Sequence, residues 1–246
     1  MILLMKCLNE EKMVKRVMEN VHNESYFDRI IVIDGGSCDF TVQALREYDK
    51  PEVFIHPWLN WYHDMETTQS NIALSYVPHG QMLFILDFDE RLTDGLKGEL
   101  QEIDNMFKAG KFRHKIGHVP RRTYEPLRFP ESPYAIPSAV DEWPLISHQI
   151  GQYPDYQCRL IVRDIGIHWI NSPHHVLWPR ELASYKFEND LEHFEKDDIR
   201  DRTRIEKLWL RAQARRKELG LSADVFECDP KKEIVECGKP GYWKDN

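Results

Sequence analysis

Short apolar runs alternate with segments of helical periodicity through the first ninety residues. We predict β-strands at residues 2–5, 29–33, 53–55 and 82–86 from the apolar runs. Between them, apolar residues recur three or four positions apart, the spacing of a helix face packed on a core. One helix is predicted to begin after an Asn9 cap, a second after Ser37 or Asp39 and to run to about Tyr48, and a third to cover residues 69–76. This alternation predicts an α/β fold with a doubly wound, mostly parallel sheet.

The stretch 81–90, QMLFILDFDE, is the predicted centre of that sheet. Five consecutive apolar residues precede Asp87 and Asp89, and such a run is typical of a strand buried on both faces. Ligands of open α/β sheets bind outside the carboxyl ends of the strands. Two carboxylates at that place can hold a hard divalent cation.

The other predicted strands also end in polar residues. Asn9 and Glu10 follow the first, Asp34 the second and His56 the third. Because the carboxyl ends of parallel strands meet at one edge, we expect these residues to line one crevice with the two aspartates. The turn Asp34-Gly35-Gly36-Ser37 is not a G-x-G-x-x-G sequence and the chain has no P-loop, so neither a dinucleotide site nor a P-loop site is expected.

The second half of the chain has a different character. Residues 110–157 are rich in proline, aromatic and basic residues and are expected to form long loops with short strands, which commonly carry specificity. Arg121, Arg122 and Arg128 could face a phosphate there or form a solvated basic edge. A strand is predicted at residues 160–162 and a helix at about 195–219. We therefore predict one α/β domain over residues 1–194 and a C-terminal helix and tail over residues 195–246.

Composition narrows the classes of protein. The 41 acidic residues exceed the 33 basic ones, giving a net charge of -8, which argues against a dedicated nucleic-acid surface. No apolar run approaches the roughly 20 residues that span a bilayer, and the N-terminus lacks the basic region of a signal peptide. Five scattered cysteines without a C-x-x-C pair fit a reduced, cytoplasmic protein. Peripheral contact with a membrane stays open.

Four motifs in register resemble glycosyltransferase family 2. They are LNEE at residues 8–11, IVIDGGSCD at 31–39, QSNIAL at 69–74 and LDFDE at 86–90. PDYQCRL at residues 154–160, Pro173-His174 and LEH at residues 191–193 resemble the subgroup of bacterial lipopolysaccharide-core glucosyltransferases. The resemblance extends to about Arg211 and implies a GT-A fold that transfers a sugar from a nucleotide-sugar donor.

The resemblance also implies donor-binding residues. Asp34 would contact the nucleotide base, with Asn9 and Glu10 beside the nucleoside. Asn71 would lie near the donor, and Asp87 near the ribose and the metal. The expected donor is a UDP-sugar. The implied acceptor is a glycan or a lipid-linked molecule, as in the synthesis of lipopolysaccharide or another surface glycan.

The metal and the catalytic base follow from the same resemblance. Asp89, with Asp87, would bind a Mg2+ or Mn2+ ion that bridges the diphosphate, and His174 would complete the metal shell, with His175 and His193 as alternatives. The family class inverts the anomeric centre, which requires a carboxylate to deprotonate the acceptor. Asp155 is the candidate base because it matches the acidic position before the arginine in the family pattern. Glu90 and Asp141 are held in reserve.

Other interpretations of the same residues are open. Phosphatases resembling haloacid dehalogenases place D-x-D-G-T after an apolar strand, but here the Gly-Thr is missing and three strand-helix units precede the acids. A non-catalytic protein that binds a sugar nucleotide would need the same crevice. Nucleotidyltransferases share the fold type, but the glycine-rich basic loop that usually follows their first strand is absent here.

Overall fold

The structure is a computed structural model that describes residues 1–57, 65–126, 135–136, 148–150, 153–170, 176–179 and 181–194. The predicted C-terminal helix and tail, residues 195–246, lie outside the described residues. The division into two domains therefore stays a prediction.

The first half of the described chain alternates strands and helices as predicted. Its elements are β1 (Ile2–Cys7), α1 (Glu11–Val21), β2 (Arg29–Asp34), α2 (Thr41–Leu45), β3 (Pro51–Ile55), α3 (Met65–Ser75), β4 (Met82–Asp87), β5 (Glu90–Leu92) and α4 (Asp94–Lys108). Every predicted strand of this half is present and one to two residues longer than expected. Strand pairing continues past the apolar run in β1, β2 and β4, and begins two residues before it in β3.

The second half is mostly β-structure. Its strands are β6 (Ile116–Pro126), β7 (Ala135–Ile136), β8 (His148–Ile150), β9 (Asp155–Val162), β10 (His168–Ile170), β11 (Val176–Trp178), β12 (Ser184–Lys186) and β13 (Leu191–Phe194). We expected only long loops and short strands in residues 110–157, which is wrong for β6. Pro120 lies between the segments of β6 that pair with β12 and with β13, where its missing N–H interrupts neither ladder.

The main sheet follows the order β3-β2-β1-β4-β9-β6-β13-β5. Six of these eight strands point the same way, and only β9 and β5 run against them. β12 and β8 pair with β6, β7 pairs with β8, and β10 forms a separate small sheet with β11. The predicted α/β fold with a doubly wound, mostly parallel sheet is confirmed, and β4 is its interior strand between β1 and β9.

Helices cover both faces of the sheet because its strands are apolar on both sides. On one face, Val17 of α1 and Leu100 of α4 pack with Met5 and Phe84. On the other face, Leu74 of α3 packs with side chains of β1, β2 and β4. Since side chains alternate along a strand, Lys6 and Asp87 project toward the α3 face and Asp34 toward the α1 face.

The predicted helix caps are wrong. α1 has Glu10 at its N-cap position with no side-chain cap, and Asn9 adopts a left-handed conformation with φ 58°. α2 begins after Phe40 and ends at Leu45, short of Tyr48. Asn9 and Ser37, which were expected to cap these helices, instead form hydrogen bonds that join the loop after β1 to the loop after β2. Among the helices of the described residues, none is long and apolar enough to cross a membrane.

Candidate active site

The sheet register brings the predicted site residues to one edge. Cys7 pairs with Asp34, Asp34 with Ile55, and Lys6 with Asp87, so the carboxyl ends of four parallel strands coincide. β9 runs antiparallel to β4, and its first residue, Asp155, therefore comes to the same edge. Asp155 was expected in a loop before a strand, but it begins the strand itself.

Asp34 is 1% exposed and organises the loop that follows it. Its Oδ1 accepts the backbone N–H groups of Gly36 (3.0 Å) and Ser37 (2.9 Å). Its Oδ2 accepts the Ser37 hydroxyl and the Cys7 thiol, the latter at 3.4 Å. The expected contact of Asp34 with a nucleotide base stays a prediction, and the bonds present here are those of a carboxylate that shapes a loop.

The loops after β1 and β2 are braced against each other. Asn9 accepts the Cys38 backbone N–H on Oδ1 at 2.8 Å and donates its own N–H to the Ser37 hydroxyl at 2.8 Å. The N–H of Glu10 donates to the Thr41 hydroxyl at 2.7 Å. Asn9 and Glu10 thus lie beside the Asp34 loop, and their expected place beside the nucleoside stays a prediction.

Asn71 joins α3 to β10. Its amide accepts the N–H of Trp169 at 2.7 Å and donates to the Trp169 carbonyl at 2.9 Å. The bidentate bond to one backbone residue is a structural use of this side chain, and its expected place near the donor stays a prediction. The preceding residue, Ser70, accepts the Lys6 ammonium at 2.8 Å.

The acids after β4 form a cluster with Arg159. Arg159 Nη2 donates to Asp87 Oδ2 at 2.9 Å and to Glu90 Oε1, while Glu90 Oε2 accepts the backbone N–H of Asp87 at 3.0 Å. Glu90 and Arg159 are 4% and 8% exposed. The chain at Asp89 is held by a bond from the Phe194 N–H to the Asp89 carbonyl at 2.9 Å.

Opposite pKa shifts mark this cluster. Burial alone would raise the pKa of Asp87, but Arg159 and Lys6 outweigh it and hold that pKa below its ordinary value. For Glu90, burial raises the pKa to about 8, with Asp87 and Asp89 adding to the rise and Arg159 opposing it. The buried Glu90 carboxyl group therefore holds its proton to a higher pH than an ordinary glutamate, even with a guanidinium in contact.

Asp155 belongs to the same network through Arg121. Asp155 Oδ2 accepts Arg121 Nε at 3.1 Å, Arg121 Nη2 at 2.6 Å and Gln157 Nε2 at 2.8 Å. Arg121 Nη1 lies 3.8 Å from Glu90 Oε1. Arg121 thus lies in a strand and pairs with the candidate base, and its contact with a phosphate stays a prediction.

One of the three candidate histidines lies in the described part of the chain. His193 Nε2 is 3.8 Å from Asp89 Oδ2, and its Nδ1 is 3.3 Å from the Thr123 hydroxyl. Burial lowers the pKa of His193 although Asp89 opposes the shift. His174, His175 and Asp141 lie outside the described residues, within which no three His, Cys, Asp or Glu side chains form a group suited to a metal.

Sequence reasoning did not identify Lys6, and it did not predict the carboxylate partners of Arg121 and Arg159. Lys6, Arg121 and Arg159 each stand beside a carboxylate of another strand or loop, so their roles depend on strand pairing that no local pattern shows. The available signal was a basic residue next to an apolar run, as in MK at the end of β1 and RLIV in β9. Charged residues in such places need a partner when buried.

Comparison with known protein families gives a match to the segment that contains most of this edge. Residues 3–122 match the family model described as glycosyl transferase family 2. The UDP-N-acetylglucosamine--dolichyl-phosphate N-acetylglucosaminyltransferase of Methanococcus voltae is 43% identical over 47 residues, which is 19% of this chain and only 18% of that enzyme.

Solved structures with similar coordinates have low sequence identity. The S. aureus TarS fragment 1–349 in complex with UDP is 12% identical, with 94% of this chain and 67% of that chain covered at a TM-score of 0.49. The mannosyltransferase PcManGT from Pyrobaculum calidifontis, in complex with GDP-Man and Mn2+, is 15% identical, with 49% and 35% covered at a TM-score of 0.39.

The family match decides between the interpretations of the two aspartates after β4. It contains Asp34, Asp87 and Asp89 and goes against the phosphatase alternative. The segment from β1 into β6, which supplies these acids, belongs to glycosyltransferase family 2.

Proposed function

We propose that this protein is a metal-dependent, inverting hexosyltransferase. It moves a sugar from a nucleoside diphosphate sugar, with a UDP-sugar as the first candidate, to a hydroxyl of a glycan or lipid-linked acceptor in surface-glycan or lipopolysaccharide synthesis. The observation that carries the proposal is the single charge network joining Asp87, Asp89 and Asp155 at one sheet edge. The name of the archaeal relative, a transferase from UDP-N-acetylglucosamine to dolichyl phosphate, supports a UDP donor and a lipid-linked acceptor.

The acids after β4 fit a divalent cation. Asp87 and Asp89 place two carboxylates at the end of β4, and Oδ1 of Asp87 takes no hydrogen bond within the described residues. Mg2+ is commonly held by one or two carboxylates and completes its shell with waters and substrate phosphates, so two aspartates suffice. We assign them to the Mg2+ or Mn2+ ion, with His174 as the predicted third ligand. When bound, the ion neutralises the charge that develops on the leaving diphosphate.

Asp155 is the group we assign to the acceptor proton. Its Oδ2 accepts three bonds from Arg121 and Gln157, which fix the carboxylate, while no hydrogen bond to Oδ1 exists within the described residues. The acceptor oxygen attacks the anomeric carbon as the bond to the diphosphate breaks, and its proton passes to Oδ1. Glu90 is unsuited to this role, because its side chain is 0% exposed and both of its oxygens are engaged.

The nucleoside would rest on the braced loops after β1 and β2. In this proposal Asp34 and Asn9 act by holding the backbone of residues 35–38 in place, and Glu10 lies beside them. Asn71 then stabilises the scaffold through Trp169.

A donor panel tests the proposal. UDP-, GDP- and dTDP-sugars are added with Mn2+ while thermal unfolding is followed, and one donor should raise the melting temperature selectively. Asp89→Asn should abolish that shift, and Asp155→Asn should keep it but lose donor hydrolysis and sugar transfer. Asp164→Asn is the matched control, since this half-exposed acid lies beyond the opposite end of β9 in an ion pair with Lys115.

Two outcomes would overturn the proposal. No shift with any donor would remove the nucleotide-sugar site. Donor binding without hydrolysis or transfer by the unmodified protein, over a panel of glycan and polyprenyl phosphate acceptors, would favour a non-catalytic binding protein.

A further inference from the structure

β9 contains one more residue than the segment of β6 with which it pairs, and that residue is Arg159. Gly117 pairs with Leu160 and His118 with Cys158, so Arg159 has no partner in β6. An extra residue of this kind is a β-bulge, which bends the strand and can re-aim a side chain near a functional site. Here the re-aimed guanidinium enters the acid cluster after β4 and is 8% exposed.

Glu90 holds Asp87 at two points, once directly and once through Arg159 at the bulge. Glu90 Oε2 accepts the backbone N–H of Asp87 directly, at 3.0 Å. Glu90 Oε1 contacts Arg159 Nη2, which also donates to Asp87 Oδ2 at 2.9 Å. The position of the peptide and the rotation of the carboxylate are thus both set by one pair of residues, and Oδ1 of Asp87 takes no hydrogen bond within the described residues.

The pair is a costly way to fill this space. Burying a guanidinium and a carboxyl group incurs a desolvation penalty that their attraction often only balances, and apolar residues of similar volume can stabilise a protein as well or better. Arg159 Nε is also buried without a hydrogen-bond partner in the described part of the chain. Stability alone therefore does not account for Glu90 and Arg159.

We propose that Glu90 and Arg159 are positioning residues that fix the carboxylate of Asp87 so that Oδ1 is presented to the divalent cation. This inference rests on the proposed function, since it needs a cation and a diphosphate at the edge of β4. In this proposal Glu90 positions Asp87 and is not the catalytic base, the role for which it was held in reserve. Removing either residue frees Asp87 to rotate, and the preformed geometry for the cation is lost.

The test measures cation and nucleotide binding separately. Mn2+ binding is followed by electron paramagnetic resonance, and UDP binding by calorimetry with and without Mn2+. In Glu90→Gln the new side chain still accepts the Asp87 N–H but turns an amide NH2 group toward Arg159. Arg159→Met replaces the guanidinium with an apolar side chain of similar volume. Each should weaken Mn2+-dependent UDP binding by about 10- to 100-fold, the usual range for residues that orient metal ligands.

Two further variants make the test specific. Arg159→Lys keeps a charge beside Asp87 and should recover part of the lost affinity. Glu52→Gln is the matched control: it breaks the ion pair of Arg29 Nε with Glu52 Oε1 (2.6 Å) at the start of β2, on the opposite edge of the sheet, and should leave Mn2+ and UDP binding unchanged.

The outcomes separate this inference from the proposed function. If the unmodified protein binds no UDP with Mn2+, the proposed function fails. If it does, and Glu90→Gln and Arg159→Met bind as tightly, the positioning role is refuted. An equal loss of UDP binding with and without Mn2+, alongside a lower melting temperature, would assign the pair to general stability and would also refute it.

Discussion

Substitution of Asp34 tests whether its carboxylate holds the loop at residues 35–38 or contacts the nucleotide directly. The family resemblance makes Asp34 a direct contact of the nucleotide base, whereas the structure uses its carboxylate to hold the loop at residues 35–38. The two roles predict different results for Asp34→Ala. A direct contact affects binding alone, but a loop-holding carboxylate affects stability and binding together.

The magnitude follows from the bonds that Asp34 makes. Its removal leaves the N–H groups of Gly36 and Ser37 without their acceptor, and a buried unsatisfied donor costs about 1–3 kcal/mol. Gly36 is exposed and Ser37 half-buried, so water replaces part of the loss. We expect Asp34→Ala to lower the free energy of unfolding by about 2–3 kcal/mol. Asp34→Asn, which retains one acceptor oxygen, should lower it by about 1 kcal/mol.

The assay is urea unfolding followed by tryptophan fluorescence, with UDP titration of the same samples. UDP affinity should fall in the order of the stability loss, because a displaced loop cannot receive the nucleoside. Ser37→Ala serves as the comparison, since it removes the hydroxyl that donates to Asp34 and accepts the Asn9 N–H but leaves the carboxylate. An Asp34→Ala protein with unchanged unfolding and abolished UDP binding would refute the loop-holding role.

Two further predictions concern the surroundings of the site. Gly117→Ala should destabilise the protein by about 1–3 kcal/mol in urea unfolding. The added Cβ would lie 2.7 Å from Phe187 Cε2 and 2.9 Å from Leu160 Cβ. Gly98→Ala is the control, because Gly98 has open space around it and the change should not lower the free energy of unfolding. An equal loss of stability in both variants would contradict the packing around Gly117. Burial first, and Asp34 next, raise the pKa of Cys7, so iodoacetamide at pH 8 should modify the exposed Cys38 and spare Cys7 in peptide mass mapping. Modification of both at the same rate would show that Cys7 is not buried as described.

The parallel half of the sheet was predictable because its strands are continuous apolar runs. Met82–Asp87 has five fully apolar residues between polar neighbours, and only a strand buried on both faces suits that pattern at this length. The convergence of Asp34 and Asp87 at one edge then follows from strand direction alone. Neither inference needed the identity of a single contact.

The contacts within the site were not predictable, because each depends on pairing between distant strands. Arg121 meets Asp155 only because β6 and β9 are antiparallel in a register that places the two residues opposite each other. The bulge that turns Arg159 toward Asp87 is one extra residue in that ladder, with no sequence signature. The side chains of Asn9 and Asn71 raise a similar difficulty, since an amide that braces a backbone and one that binds a ligand look the same in a sequence.

The two halves of the edge differ in how they are held, and the difference suits the two ends of a sugar nucleotide. The loops after β1 and β2 are fixed mainly by bonds to backbone N–H groups, which can present a shaped surface to a neutral nucleoside. The acids after β4 are fixed by a guanidinium, and the carboxylates of Asp87 and Asp89 would repel a bare diphosphate placed beside them. Two unit charges about 4 Å apart interact by about 4 kcal/mol at an effective dielectric constant near 20, so this repulsion would be too large for tight binding. Asp87 and Asp89 would hold a divalent cation there, and its charge would turn the repulsion into attraction; this is the physical reason to expect metal-dependent donor binding at this edge.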